Sequence, residues 1–210
     1  MFYPVYLDLQ NRPALVVGGG AVAQRKAESL LEAGARVTIV SPEATEALLE
    51  HSKAGRIVLH RRRFDLSDLD GVFIVISATD DSTVQAEVAA AAKARNIPVN
   101  TVDIPELCTF IVPAVVRRGG VTVAISTGGR SPSLAAALRT QIDRVLTDEV
   151  ARTADLLGAI RGEVHERFKS VDQRKRVFER IIESGIMEWI AECDDAAALQ
   201  RVRRMIDEMQ

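Results

Sequence analysis

The sequence predicts an α/β fold in which a parallel-sheet domain precedes a small α+β segment and an all-helical carboxyl-terminal lobe. Between residues 14 and 103, short β-branched runs alternate with alanine-rich stretches, which is typical of βαβ units. A pair of hairpin-like runs then interrupts the alternation. From Thr147 onward, apolar residues recur at helical spacing without any strand pattern. We therefore divide the chain into domains of residues 1–112, 113–147 and 148–210.

The first domain is predicted to contain five parallel strands and three helices. The strands are expected at Ala14–Val17, Arg36–Val40, Ile57–His60, Val72–Ser77 and Pro98–Val102. The helices are expected at Val22–Ala33, Glu43–Ala54 and Ser82–Arg95. Gly34 is predicted to cap the first helix at its carboxyl end. We also expect an amino-terminal strand, Val5–Leu9, to join the sheet.

The second and third domains are predicted from turn and capping residues. Thr109–Val116 and Gly120–Thr127 indicate a hairpin with a turn at residues 118–120. Ser131 as N-cap and Pro132 at the first helical position predict a helix that continues over Leu134–Leu146. In the helical lobe, a break is expected at residues 184–185 and a cap for the last helix at residues 194–195.

Composition excludes several classes of protein. The 210 residues are 47% hydrophobic and 27% charged, as in folded globular proteins and unlike disordered chains. The longest strongly apolar stretch, Val72–Ala78, is far shorter than the roughly 20 residues of a membrane helix. The amino-terminal residues lack the pattern of an export signal, which predicts a cytoplasmic location and no membrane partner.

Charge and metal-ligating residues exclude further classes. The net charge of −2 predicts no nucleic-acid partner, and the local arginine clusters are interpreted as solvated faces, with anion binding as the alternative. Cys108 and Cys193 are too far apart for a recognised metal pair, and His51, His60 and His165 show no ligand spacing. The sequence predicts no metal site.

A glycine-rich turn carries the main functional signal. Residues 18–23, Gly-Gly-Gly-Ala-Val-Ala, fit G-x-G-x-x-A and lie between a predicted strand and a predicted helix. In this motif Gly18 allows the tight turn, Gly20 lets a pyrophosphate approach the backbone, and Ala23 keeps the helix close to the sheet. The first domain is therefore predicted to be a Rossmann-like dinucleotide-binding domain.

Two further strand ends predict cofactor contacts. The second strand lacks the usual terminal acid for the ribose, which leaves Glu43 and the Ser41 hydroxyl as alternative candidates. No arginine at position 41 or 42 is available for a 2′-phosphate, so NAD is favoured over NADP. Thr79 and Asp80 follow another strand at its carboxyl end and are expected to border the cofactor, with helix capping by Asp80 or Asp81 as the alternative.

Six motifs in order resemble one known family. They are Tyr3–Val5, Val17–Ala23 with Arg25 and Lys26, Ala78–Asp81, Asn100–Asp103, Phe110–Ala114 and Ser126–Pro132. Over Tyr3 to about Leu146 the chain resembles the precorrin-2 dehydrogenases of siroheme biosynthesis, some of which are also sirohydrochlorin ferrochelatases. The chain departs from some members at Thr127, where they have a second serine.

The resemblance implies an activity and a set of site residues. It implies NAD-dependent oxidation of precorrin-2 to sirohydrochlorin by a homodimer with interlocking central segments, and ferrous ion as a second substrate if the chelatase activity is present. The family's cofactor contacts correspond to Ala21, Val22, Pro42 and Glu43, and its catalytic aspartate to Asp103. Some relatives are fused to a methyltransferase for which these 210 residues leave no room, so we expect the methylated substrate to come from a separate enzyme.

The residues themselves support two roles for Asp103. It follows a strand at the sheet edge where the nicotinamide is expected, so its carboxylate could accept a proton as the hydride leaves. The alternative is a carboxylate that caps the turn at residues 104–105. The resemblance favours catalysis.

The implied substrate carries many carboxylates, which predicts anion-binding groups in the central segment. Arginine side chains and the peptide N–H groups of a glycine pair or helix start can bind carboxylates. The predicted substrate-binding residues are Arg117, Thr127, Gly128, Gly129, Arg130 and Ser131, with Arg118 as a further candidate. A non-enzymatic NAD-sensing regulatory domain is the alternative function, although it has no use for a base beside the nicotinamide.

Overall fold

The computed structural model describes residues 2–209, which divide into one compact unit up to Val112 and another from Pro113. Met1 and Gln210, the outer limits of the first and third predicted domains, lie outside the described residues. The first unit is a parallel sheet with helices. The second contains a two-stranded antiparallel sheet and helices. These features confirm the predicted fold class.

The first unit contains five strands and three helices longer than one turn. The strands are β1 (Pro13–Val17), β2 (Arg36–Val40), β3 (Ile57–His60), β4 (Ile74–Ser77) and β5 (Val99–Thr101). The helices are α1 (Ala21–Glu32), α2 (Glu46–Lys53) and α3 (Ser82–Ala94). Short 3₁₀ turns occur at Leu66–Leu69 and Pro105–Leu107.

All five strands of the first unit are parallel, in the order β3-β2-β1-β4-β5. This is the order of a Rossmann-type sheet, in which the chain reverses its direction of winding between β1 and β4. β1 and β4 are buried on both faces, as expected for strands covered by helices on both sides. Val16 belongs to the core on one face of the sheet and Leu15 to the core on the other.

The predicted amino-terminal strand over Val5–Leu9 is wrong. Residues 2–9 form no strand, and residues 2–8 are exposed. Only Leu9 reaches the core. A turn follows directly, in which Arg12 N donates to Leu9 O and Asn11 takes a left-handed φ of 57°. The apolar alternation therefore has no neighbouring strand to pair with among the described residues.

Two other predicted starts are displaced by three residues or more. The second helix begins at Glu46 rather than Glu43, because the Thr45 hydroxyl accepts from Leu48 N and caps it there. The hairpin begins at Ala114 rather than Thr109, because Thr109 N donates to Val99 O and keeps this stretch beside β5.

The second unit contains a hairpin and five helices. The strands are β6 (Ala114–Arg118) and β7 (Val121–Ile125). The helices are α4 (Pro132–Val145), α5 (Asp148–Arg167), α6 (Val171–Glu183), α7 (Ile186–Trp189) and α8 (Asp195–Asp207). A 3₁₀ turn at Ile190–Glu192 connects α7 to α8. The core of the helical part includes Ile160, Val164, Ile181 and Val202.

Capping residues place the helix ends close to where the sequence predicts them. The Ser131 hydroxyl accepts from Leu134 N at the start of α4, and Asp194 accepts from Ala197 N at the start of α8. Gly185, with a left-handed φ of 75°, separates α6 from α7. Gly34 takes a φ of 77° just beyond α1, as predicted for a C-terminal cap.

Candidate functional site

The sheet order brings two predicted cofactor segments together at the carboxyl ends of β1 and β4. Ligands of open α/β sheets bind where the winding reverses, which here lies between these two strands. The glycine-rich turn follows β1, and residues 78–81 follow β4. An ideal Cβ placed on Gly18 would lie 2.2 Å from Ala78 O, so the two segments are in direct contact.

Gly18 and Gly19 are required for this close approach. Gly18 has a φ of 123°, which residues with side chains rarely adopt, and Ala78 O occupies the position of a Cβ. A Cβ on Gly19 would lie 1.9 Å from Glu43 O and 2.9 Å from Ser41 Oγ. The G-x-G-x-x-A pattern assigns no function to Gly19. Its requirement arises from a segment more than 20 residues later, which the motif pattern does not contain.

Gly20 differs from its two neighbours because its surroundings are open. A Cβ built on Gly20 would have no other atom of the described residues within 4 Å. Gly20 is also the N-cap of α1, where no side chain of the described residues caps the helix and no acid lies in the first turn. The N–H groups of Ala21 and Val22 therefore remain available at the positive end of the helix. This cradle fits a pyrophosphate.

The three candidate residues after β2 have different environments. Ser41 is buried, its N donates to His60 O, and its hydroxyl lies beside Gly19. Pro42 and Glu43 are exposed. The Ser41 hydroxyl therefore packs on the glycine turn, whereas the Glu43 side chain is exposed. Of the two alternatives for the ribose contact, Ser41 is the buried residue and Glu43 the exposed one.

The two aspartates after β4 differ, because Asp81 caps a helix and Asp80 does not. Asp81 Oδ1 accepts from Thr83 N at 2.9 Å and Val84 N at 3.2 Å, so Asp81 is the cap of α3. Thr79 is held by its carbonyl, which accepts from Gln85 Nε2 at 2.7 Å. Asp80 is exposed and makes no side-chain hydrogen bond within residues 2–209. The capping alternative therefore applies to Asp81, while Thr79 N lies 3.1 Å from the position of a Cβ on Gly18 and so borders the turn after β1.

Asp103 lies in a turn just beyond β5, at the same edge of the sheet. It is exposed and takes a left-handed φ of 62°, which is uncommon for a residue other than glycine but is tolerated best by Asp and Asn. No side-chain hydrogen bond caps the following 3₁₀ turn within the described chain. The Asp103 carboxylate is therefore accessible, and the turn does not depend on it as a cap.

Lys26 lies near Asp103, and the sequence alone indicates no role for it. It lies on α1 and is partly buried. Burial lowers the pKa of its ammonium group, the positive charge of Arg25 lowers it further, and the negative charge of Asp103 opposes both effects. A basic group and an accessible carboxylate therefore share this part of the first unit. Only the Arg25-Lys26 pair in the family motif pointed to it.

The predicted substrate-binding residues of the central segment are partly engaged within the chain. Thr127 Oγ1 accepts from Ser131 N at 3.0 Å and donates to Ser131 O at 3.1 Å, which closes the loop between β7 and α4. Gly128 N donates to Ser126 Oγ at 3.0 Å, so it is not a free donor. Gly129 and Arg130 are exposed.

The two arginines of the hairpin differ in environment. Arg118 pairs with Asp143 at 3.0 Å and with Asp148 at 3.8 Å, so it ties the hairpin to α4 and α5. Arg117 is exposed at the adjacent position. Of the two, Arg117 is the more exposed residue.

Residues 2–209 contain neither a cluster of metal ligands nor a helix that could cross a membrane. Within this range, no group of three or more His, Cys, Asp or Glu side chains has the arrangement of a metal site. No helix in the same range has the length and apolar character needed to cross a membrane.

Three protein-family models match successive parts of the chain. Residues 5–114 match a putative NAD(P)-binding family, residues 118–144 the central region of sirohaem biosynthesis proteins, and residues 149–206 the sirohaem synthase dimerisation region. The chain belongs to the siroheme synthase family. Membership confirms the resemblance that the six motifs indicated and the dinucleotide-binding character of the first domain.

Similar curated proteins in the siroheme synthase family come from several bacteria. The siroheme synthase of Methylobacillus flagellatus is 42% identical over 203 residues, which cover 97% of this chain and 44% of the relative. That of Nitrosospira multiformis is 39% identical over 210 residues, with 98% and 44% covered. The chain thus spans less than half the length of these relatives.

A solved structure matches nearly all of the chain. SirC, a precorrin-2 dehydrogenase, is 26% identical with a TM-score of 0.75, and the match covers 97% of this chain and 100% of SirC. The fold described above is therefore also the fold of SirC.

Proposed function

We propose that this chain oxidises precorrin-2 to sirohydrochlorin with NAD as the hydride acceptor. The observation that carries the proposal is the match of nearly all of the chain to SirC, a precorrin-2 dehydrogenase, together with the open cradle at Gly20. The siroheme synthase relatives support the same pathway step. A pure NAD sensor explains the cradle but leaves the accessible Asp103 carboxylate without a role.

The residues of the first unit would hold the dinucleotide at the carboxyl edge of the sheet. Gly20 leaves room for the pyrophosphate, and the N–H groups of Ala21 and Val22 donate to it. Glu43 accepts from a ribose hydroxyl, with Ser41 and Pro42 supporting the turn beneath it. Thr79 and Asp80 line the other side of the glycine turn. When bound, NAD supplies the acceptor for the hydride.

Asp103 acts as the general base in this proposal. Removal of two hydrogens from precorrin-2 transfers one as hydride to NAD and releases the other as a proton, so the products are sirohydrochlorin, NADH and a proton. An exposed carboxylate without a hydrogen-bonding partner in its own turn is suited to accept that proton. The left-handed backbone conformation of Asp103 fixes the position from which its side chain extends.

The carboxylates of the substrate require basic and N–H donors. Arg117, Gly129 and Arg130 are exposed in the central segment and are the proposed anchors. Thr127 and Ser131 hold the loop in shape through their reciprocal hydrogen bonds. The N–H of Gly128 already donates to Ser126 Oγ, so it is not available to the substrate. Gly128 instead allows the loop its left-handed φ of 64°.

The active form is proposed to be a homodimer. The match of residues 149–206 to the sirohaem synthase dimerisation region supports this assembly. Ferrous ion as a second substrate, a cytoplasmic location and the lack of nucleic-acid and membrane partners stay predictions.

The proposal is tested by supplying precorrin-2 anaerobically with NAD, with NADP, or with neither. We expect sirohydrochlorin absorbance to rise with NAD, more slowly with NADP, and not at all without a dinucleotide. A protein that binds NAD in a calorimeter but forms no sirohydrochlorin would instead support the sensor. Ferrous ion added to the same cuvette then tests for chelation.

A further inference from the structure

The edge strand β3 brings an arginine to the carboxyl end of β2. The two strands are parallel, and His60 of β3 lies opposite Val40 of β2. The pairing continues one residue further, because Ser41 N donates to His60 O at 3.1 Å. In a parallel ladder this bond places Ser41 opposite Arg61, with the two backbones about 4.8 Å apart.

A tight turn ends β3 at this arginine. Arg62 N also donates to His60 O, at 3.0 Å, which makes Arg61 the central residue of a three-residue turn. Such turns are common where strands end. Arg61 therefore lies at the same carboxyl edge of the sheet as residues 41–43.

The three successive arginines after β3 differ in their partners. Arg62 Nη1 donates to Asp68 Oδ2 at 2.8 Å and to Arg63 O at 3.0 Å. Asp68 in turn accepts from Asp65 N at 2.9 Å, as part of a capping box. Arg62 therefore holds the loop after β3 in place. Arg61, in contrast, is exposed, and its side chain forms no hydrogen bond or ion pair with the rest of residues 2–209.

The carboxyl end of the second strand is the ribose-binding position of a dinucleotide fold. The ribose of the adenosine lies there, and a nearby arginine accommodates the 2′-phosphate of NADP. Ser41 and Pro42 supply no such arginine, which is why the sequence favours NAD. The pairing of β3 with β2 supplies Arg61 from the neighbouring strand, a position that the motif pattern does not contain.

Two opposite charges therefore lie at the expected ribose position. A 2′-phosphate carries roughly −1.5 to −2 charges at neutral pH. The exposed carboxylate of Glu43 repels such a group, whereas the guanidinium of Arg61 attracts it and matches its oxygens with two parallel N–H donors. Arg61 thus offsets the repulsion that Glu43 exerts on NADP.

We propose that Arg61 is a specificity-determining residue that binds the 2′-phosphate of NADP, so that the cofactor site accepts NADP as well as NAD. The choice of this ligand rests on the dinucleotide site of the proposed function. The alternative is that Arg61 is only a solvated surface residue, in which case its replacement changes the affinity for neither dinucleotide.

The test is calorimetric titration of the whole chain with NAD and with NADP, which differ only in the 2′-phosphate. Arg61→Ser should weaken NADP binding at least about tenfold and change NAD binding less than about twofold, because only NADP loses charge-assisted contacts. Arg61→Lys keeps the charge without the paired donors and should give an intermediate NADP affinity. Equal NADP affinity in Arg61→Ser and the wild type, or no NADP binding by a wild type that binds NAD, would overturn the proposal.

Arg36→Ser is the matched control. Arg36 is the first residue of β2, so it lies at the amino end of the strand, on the opposite edge of the sheet from Ser41. Like Arg61, it is exposed, and its side chain has no hydrogen bond or ion pair within the described residues. The variant removes the same charge and should change both affinities less than about twofold. An equal loss of NADP affinity in Arg36→Ser and Arg61→Ser would show that net charge alone is responsible, and the proposal would be wrong.

The Arg61 contact and the proposed dehydrogenase activity fail separately. If NADP binds through Arg61 but neither dinucleotide supports precorrin-2 oxidation, the contact is supported and the dehydrogenase is rejected. If precorrin-2 is oxidised with NAD but NADP affinity does not depend on Arg61, only the Arg61 proposal is rejected. If the wild type binds neither dinucleotide, both are rejected.

Discussion

Replacement of Asp103 by asparagine separates its chemical role from its structural one. The substitution preserves side-chain shape and removes the ability to accept a proton. Asparagine tolerates a φ of 62° at least as well as aspartate, and the carboxylate caps nothing in the following turn. We therefore expect the free energy of unfolding to change by less than about 0.5 kcal/mol.

The rate should respond instead. Loss of a general base lowers the rate by roughly 10² to 10⁴, which corresponds to about 2.7–5.5 kcal/mol of barrier. The assay is anaerobic oxidation of precorrin-2 at saturating NAD, with NAD affinity measured by calorimetry and stability by thermal unfolding. Glu106→Gln is the matched control, because Glu106 is an exposed carboxylate in the adjacent 3₁₀ turn.

A third variant checks the backbone argument. Asp103→Ala removes the base and also places a less tolerant residue in the left-handed region, so it should lose rate like asparagine and an additional 1 kcal/mol or so of stability. A near wild-type rate in Asp103→Asn would remove Asp103 from the mechanism. Positioning of the substrate beside the nicotinamide would then be the main source of catalysis.

Three further predictions follow from the site and its surroundings. Gly20→Asp should abolish NAD binding by calorimetry while circular dichroism stays native, because the new side chain enters open space that the pyrophosphate needs; NAD binding by the folded variant would refute the cradle. Gly18→Ala should cost at least about 2 kcal/mol in denaturant unfolding, because its Cβ collides with Ala78 O at a φ of 123°; wild-type stability would refute the requirement. The Arg62 side chain holds the pKa of the Asp68 carboxyl below its ordinary value of 3.8, so this pair stabilises the fold above pH 3.8 and loses its effect as the pH falls through the lower folded pKa. Asp68→Asn should therefore lower the melting temperature at pH 7 but much less at pH 2. An equal loss of melting temperature at both pH values would contradict this.

The parallel sheet and most helix ends could be predicted because local signals determine them. The bounds of β2 and β3 agree with the prediction, since each strand is a short β-branched run between turn residues. Ser131 and Asp194 cap the helices for which they were predicted, because capping requires only the next three residues. The glycine-rich turn was recognisable for the same reason.

The features that the sequence did not reveal depend on contacts between distant segments. Residues 5–9 alternate like a strand but form none, since strand formation needs a partner that the pattern cannot specify. Gly19 is required by Glu43 O, and Arg118 is engaged by Asp143, in both cases more than 20 residues away. Lys26 lies on α1 and Asp103 follows β5, so their proximity likewise arises only when the chain folds.

In the proposed function, a hydride is transferred from a tetrapyrrole to NAD on this chain. The most direct measurement is the ratio of NADH to sirohydrochlorin formed from precorrin-2 under strictly anaerobic conditions, with both followed by absorbance in one cuvette. We expect equimolar formation in the wild type and neither product in Gly20→Asp. Sirohydrochlorin without NADH, or NAD binding with no conversion of precorrin-2, would contradict it.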